Sequence, residues 1–418
     1  MKNTRYLILI ALPLLNISVW AEDIDQAVPS ARMSVSSIVN GNTSFAFDLY
    51  ARLKAREGNL FVSPYSISTA LAMTYAGARN DTATQMAQTL HFASNQREFH
   101  PTYRRLIDQL NEQGQKGDYQ LTVANALWAQ KDYTFLESFI NLNQRNYKAE
   151  LENVDFVKET EPTRVKINQW VEDKTQSKIK DLIPPGILDS MTRLVLTNAI
   201  YFKGDWAGRF DGQQTRAEPF YVSQEKTVQA PLMYRKGQYP YGEHVSLRND
   251  RRVKVQVLVL PYKGNDVSMV VLLPEKGYLR HVEEDLSTET LAVWTSQLRS
   301  QDVEVFLPKF RMSCQFSLDR TLAAMGMPDA FGDAADFSGM TGAKDLLISD
   351  VLHKAFVEVN EEGTEAAAAT GVVMRLRSMP APTPVFRADR PFVFVIRDNA
   401  TGSILFMGRV ADPTDSGS

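Results

Sequence analysis

The chain of 418 residues has one cysteine, Cys314, so no intramolecular disulfide can staple it. Its fold must rest on its core, and with 44% hydrophobic and 23% charged residues that core can be large. Cys314 itself lies between Met312 and Phe316 in an apolar-alternating run, the setting of a packed thiol. Histidine is scarce too. His91, His100, His244, His281 and His353 show no metal-ligand spacing, so the sequence calls for no metal and no cofactor. There is no G-x-S-x-G elbow, no H-E-x-x-H pair, no Walker loop and no G-x-G-x-x-G turn, which argues against an enzyme. Glu283-Glu284 and Glu361-Glu362 read as solvated charges, not as acid–base pairs. Beyond residue 21 no apolar run reaches the roughly 18 residues a membrane span requires. The net charge of −3 gives no overall pull toward nucleic acid, and the short basic face of Arg97, Arg104 and Arg105 is read as solvated.

What is present begins with a leader. Lys2 and Arg5 precede an apolar run from Tyr6 to Val19, and Val19-Trp20-Ala21 offers small residues at a cleavage site, so 1–21 is expected to be a signal peptide. A secreted, extracellular, monomeric product follows, with the periplasm as the destination in a bacterium. Helical spacing covers 43–53, 63–73, 82–90, 101–110, 136–147 and 161–174. From about residue 194 the pattern turns to strands: 194–202, 218–222, 253–260, 268–273, 303–310, 356–359 and 392–397. Helices first and strands later predict an α+β fold, and without a repeat or a low-complexity linker a single domain is expected.

The segment from Gly363 to Arg390 is unusual. Thr364, Ala366, Ala368, Thr370, Val372, Met374 and Leu376 are uncharged at period two, while Glu365, Arg375 and Arg377 fall between them. That is the pattern of a half-buried strand, starting with small side chains and ending with larger ones. The prolines at 380, 382 and 384 stop it.

Several segments together resemble the serpins, the serine protease inhibitor family. They are Asn59-Leu60-Phe61-Val62-Ser63-Pro64-Tyr65-Ser66-Ile67, the run from Leu196 to Trp206, the run from Leu352 to Ala367, Arg390-Pro391-Phe392-Val393-Phe394, and Phe406-Met407-Gly408-Arg409-Val410. The resemblance spans about Ser44 to Pro413, which leaves 22–43 as an amino-terminal extension and 414–418 as a tail. It implies three β-sheets, about eight or nine helices, and an exposed reactive loop over about 361–390, above a metastable central sheet into which the loop inserts. Glu361, Gly363, Thr364, Glu365, Ala366, Ala367, Ala368, Ala369 and Thr370 would be the hinge, and its alanine-rich make-up is that of the inhibitory members.

Counting from Glu361 as the family does places the scissile bond at Arg377–Ser378, an antithrombin-like pair thirteen residues before Pro391; Arg375–Leu376 is the second choice. The attacking nucleophile would belong to the protease. An arginine there implies a trypsin-like serine protease as the covalent partner, or an Arg-specific cysteine protease. Asn59, Ser63, Ser66, Asn198 and His353 resemble the polar cluster beneath the sheet that governs its opening, and Trp206 the aromatic where the loop enters. The alternatives are a non-inhibitory member that carries a ligand or acts as a chaperone, and a secreted enzyme on an unrelated fold.

Overall fold

A computed structural model describes residues 33–114, 119–248, 251–363 and 383–416. The leader and the loop positions Thr364, Glu365, Ala366, Ala367, Ala368, Ala369, Thr370, Arg377 and Ser378 lie outside the described residues.

Ten α-helices occur among the described residues, one or two more than expected: α1 (Val35–Leu53), α2 (Pro64–Tyr75), α3 (Asn80–Thr89), α4 (Gln96–Gly114), α5 (Glu137–Tyr147), α6 (Thr160–Lys174), α7 (Leu279–Asp285), α8 (Thr288–Ser296), α9 (Asp319–Met325) and the single turn α10 (Ser338–Thr341). Ser34 caps α1 by accepting from the Ser37 amide, and Ser63 caps α2 likewise, with Pro64 preset for the first helical turn. α1 starts eight residues before the pattern read at Thr43. Ile38, Val39, Asn42 and Thr43 are buried in it, so the second part of the expected extension is helix. Serine and asparagine are poor helix formers, and tertiary packing overrides them here.

The strands are β1 (Leu60–Val62), β2 (Tyr119–Gln130), β3 (Glu150–Val154), β4 (Leu194–Gly204), β5 (Arg216–Tyr221), β6 (Thr227–Arg248), β7 (Arg251–Pro261), β8 (Val267–Pro274), β9 (Arg299–Pro308), β10 (Phe310–Ser317), β11 (Leu352–Val359), β12 (Val385–Arg387), β13 (Phe392–Asp398) and β14 (Ile404–Val410). They form three sheets. The largest has nine strands, with β1, β14, β13, β8, β7, β6, β9 and β12 in that order and β5 on β6. β3–β2–β4 make a second sheet and β10–β11 a third. Every residue of β8 and β14 is buried, because both faces of the nine-stranded sheet are covered there; these strands are therefore continuous apolar runs without alternation. α6 packs over Trp128 and Val154 of the second sheet through Ile167 and Val171, and Leu352 and Phe356 of β11 join the same cluster. That cluster, which also holds Ile179, Leu182 and Ile183 of the segment after α6, thus spans both smaller sheets.

Candidate functional site

β4 and β11 run in the same direction, since Leu196 and Asn198 face Leu352 and His353 while Ile200 and Phe202 face Phe356 and Val357, and the residues just past their ends meet. Asp205 bridges Gly363, and the Trp206 amide donates to Glu362 O at 2.8 Å. Below that junction no ladder joins the two strands among the described residues. A cavity of about 30 Å³ lies between Ile200 and Phe202 of β4 and Phe356 and Val357 of β11, with Phe61 and Phe406 on the core side and Lys178 and Ile179 on the α6 side. Lower down, a cavity of about 660 Å³ separates Leu196 and Asn198 from Leu352 and His353, over Ile67 and Leu71 of α2. The two small sheets are halves of one sheet with a slot between them. Its borders carry unpaired strand edges, the template on which an extended chain adds.

The top of the slot is held by packing and by one glycine. Trp206 is 3% exposed, stacks on Tyr262 at 4.6 Å between centroids, and donates from Nε1 to Asn360 O at 3.0 Å. Gly363 has φ +127°, and a Cβ there would lie 2.3 Å from Gly204 O. The Phe210 amide donates to Glu361 O, while the Glu361 carboxylate takes a bond from Thr215 Oγ1 at 2.8 Å and pairs with Lys309 at 2.8 Å. Burial pushes that carboxyl up, but the Lys309 ammonium and the hydrogen bonds outweigh it and hold it below the usual range. Glu361 was therefore misjudged by its sequence as a solvated charge. The Thr215 and Lys309 partners are 146 and 52 positions away, and no local pattern announces them.

At the bottom, Ser63 donates from Oγ to Leu405 O at 2.7 Å, and its backbone amide donates to His353 Nε2 at 3.0 Å. Ser66 Oγ donates to Asn198 Oδ1, Asn198 Nδ2 to Asn125 Oδ1 at 2.6 Å, and Asn125 Nδ2 to Tyr147 O at 2.7 Å. Ser63, Ser66, Asn198 and His353 thus come together under the slot, spanning α2, β4 and β11. Asn125 of β2 belongs with them and went unnoticed, although an asparagine in the run from Val123 to Trp128 was a legible signal. Asn59 does not join. Its Oδ1 accepts from the Ala411 and Asp412 amides at 2.8 and 3.0 Å, and its Nδ2 donates to Asp412 O and Asp415 O at 2.8 and 2.7 Å. Four residues before Ser63 and just ahead of β1, its side chain reaches the carboxy-terminal segment instead of α2. Two of the three arginines of the short basic face are occupied: Arg104 pairs with Asp108, and Arg105 donates to Met33 O.

A strap crosses the slot. Ile183 O accepts from Arg164 and Asn168 of α6 at 2.7 and 2.9 Å, while Lys180 O accepts from Lys354 of β11 at 2.9 Å. Opening the slot further must stretch these bonds.

His353 is neutral at the slot floor, because burial pulls its pKa down from 6.5 to about 4. Its Nε2 accepts, so Nδ1 carries the proton. The unfolded chain binds a proton near pH 6.5 and the folded chain does not, so this contribution to stability is full above pH 6.5 and falls as pH drops toward 4; it amounts to about 3 kcal/mol. His353→Gln keeps an acceptor for Ser63 and cannot titrate. Its thermal midpoint is expected to fall less than that of the parent between pH 7 and 4.5, and identical slopes would remove His353 from the pH response.

Comparison with known proteins gives the site its context. Residues 40–413 match the family Serpin (serine protease inhibitor). The chain is 44% identical to the leukocyte elastase inhibitor of Bos taurus over 381 residues, covering 89% of this chain and 98% of that protein. Against the leukocyte elastase inhibitor of Homo sapiens it is 42% identical over 389 residues, covering 91% and 100%. Among solved structures it is similar to human thyroxine-binding globulin complexed with thyroxine, with TM-score 0.81, 34% identity and coverage of 92% and 100%. Uncleaved ovalbumin gives 0.78, 31%, 90% and 100%. The family is one of protease inhibitors, not of catalysts, and this chain, from α1 to the end of the nine-stranded sheet, belongs to the serpins.

Proposed function

We propose that this serpin traps trypsin-like, arginine-directed serine proteases by offering Arg377–Ser378 as a substrate bond. The slot between β4 and β11 carries the proposal. β4 has 11 residues, so the slot is about 36 Å long, whereas the fourteen residues from Thr364 to Arg377 extend to about 46 Å. A cleaved loop pivoting at Gly363 fills the slot as a new strand and takes the acyl-linked protease to the opposite end. The small inward residues Thr364, Ala366, Ala368 and Thr370 enter first and pass the narrow part lined by Ile200 and Phe202. The protease serine does the chemistry; this chain supplies the bond, the strand and the gap.

Arg377 sets the target class, because a guanidinium matches a specificity pocket with a buried carboxylate in two parallel hydrogen bonds. Two of the relatives are named for a different protease, leukocyte elastase, and Val372, Val373 and Met374 lie close by as apolar alternatives for such an enzyme. An antithrombin-like Arg-Ser pair and the 1–21 leader fit a secreted inhibitor acting outside the cell as a monomer. Mixing the mature protein with trypsin is expected to give a complex that survives denaturing electrophoresis, with a released peptide beginning at Ser378. Cleavage at that bond without a complex would instead identify a substrate-type member that binds or carries a ligand.

A further inference from the structure

β10 is an edge strand. One side pairs with β11, from Phe310 opposite Val359 to Ser317 opposite Leu352, and among the described residues no strand lies on the other. Such an edge is a template for a second chain. It is also self-complementary, because two copies of one edge laid antiparallel form an isologous pair. Two of its outward groups are nevertheless engaged. The Ser313 amide donates to Ser416 O at 2.9 Å, and Gln315 O accepts from Arg56 Nη1 at 3.4 Å.

Both covering groups are fixed by the same anchors. Asn59 makes four hydrogen bonds to residues 411–415, and Lys226 pairs with Asp412 at 2.8 Å. The buried Arg409 donates to Gly58 O at 2.9 Å, Lys54 O at 3.2 Å and Arg56 O, and pairs with Glu283 at 2.9 Å. The turn over 54–59 and the segment 411–416 are thereby tied together alongside β10. Four hydrogen bonds on one half-buried side chain exceed what closing a surface turn requires.

We propose that residues 411–416, held by Asn59, cap the outer edge of β10 against edge-to-edge pairing with a second copy of this chain. The cap is separate from the loop slot, which lies on the far side of β11. Removing residues 412–418 is expected to give concentration-dependent dimers and larger species by size-exclusion chromatography with light scattering, under conditions where the full chain is monomeric. Ser313→Pro in the truncated chain deletes the outward amide without touching the β11 side, and is expected to restore the monomer. A truncated chain that stays monomeric, or one whose association survives Ser313→Pro, overturns the proposal. Lys226→Ala is a milder probe that keeps the whole tail. It is expected to raise hydrogen exchange at the Ser313 amide by about 2- to 5-fold, the scale of losing one exposed ion pair that helps hold the cap. Unchanged protection there also overturns it, whether or not the truncated chain folds.

Discussion

Arg377→Ala is expected to lower the rate constant for trypsin inhibition by about 10⁴-fold, because a pocket built to pair with a guanidinium rejects a side chain that leaves its carboxylate unpaired. Truncation to alanine removes both hydrogen bonds of the fork and leaves the buried carboxylate desolvated. In the proposed trap position 377 serves only as the bond offered to the protease, so the stability of the free inhibitor is expected to be unchanged. Progress curves of trypsin activity against inhibitor concentration measure the effect, and the amino terminus of the released peptide identifies the bond. Undiminished inhibition would move the bond to Arg375–Leu376, where Arg375→Ala repeats the test. If the variant instead inhibits an elastase as well as the parent does, the apolar stretch 372–374 is the bait for that enzyme and two bonds share one loop.

The difference between what the sequence tells and what the fold adds has physical causes. α2 was legible because Ser63-Pro64 is a capping signal written within two residues, and α6 because its many charges fall at the spacing of an exposed helix face. In the nine-stranded sheet β8 and β13 were legible as apolar runs, whereas β14, buried at every residue, was not read as a strand although Ile404 to Val410 is such a run. β6 was missed although it has 22 residues. It pairs with β5, then β9, then β7, and Gly237 and Pro240, in the stretch paired with β9, look like a turn. β2 and β3 were missed for a related reason: they lie between helices, and a run such as Val123 to Trp128 is too short to tell strand from helix by period.

In the site, residues that act through their own neighbourhood were readable, and those that act by reaching were not. Ser63 caps α2 and lies under the slot, so one local signal served both roles. Lys309, Thr215 and Asn125 matter only because the fold brings them to Glu361 and Asn198. Asn59 shows the converse. Motif likeness placed it beneath the sheet, and its hydrogen bonds place it on the carboxy-terminal segment.

Gly363→Val tests the other end of the slot. The residue is buried with φ +127°, and the new Cβ would meet Gly204 O at 2.3 Å, Trp206 N at 2.5 Å and the Asp205 Cα at 2.6 Å. All three are backbone atoms, which cannot rotate aside as a side chain would. The chain must therefore either shift the turn over 360–363 or separate it from β4. Both cost the Asp205–Gly363 bridge and the bond from the Trp206 amide, the contacts that hold β4 and β11 together at the top. Backbone strain and overpacking together put the loss at about 2–4 kcal/mol. Where that loss falls on the barrier to opening, the half-life of inhibitory activity on heating shortens by about 30- to 1000-fold. Activity remaining after incubation at a fixed temperature measures it, and a half-life equal to that of the parent would show that the junction is not what keeps the slot shut. The hinge needs a residue that permits this φ and lets the β11 end approach β4 to backbone contact, and glycine alone meets both conditions.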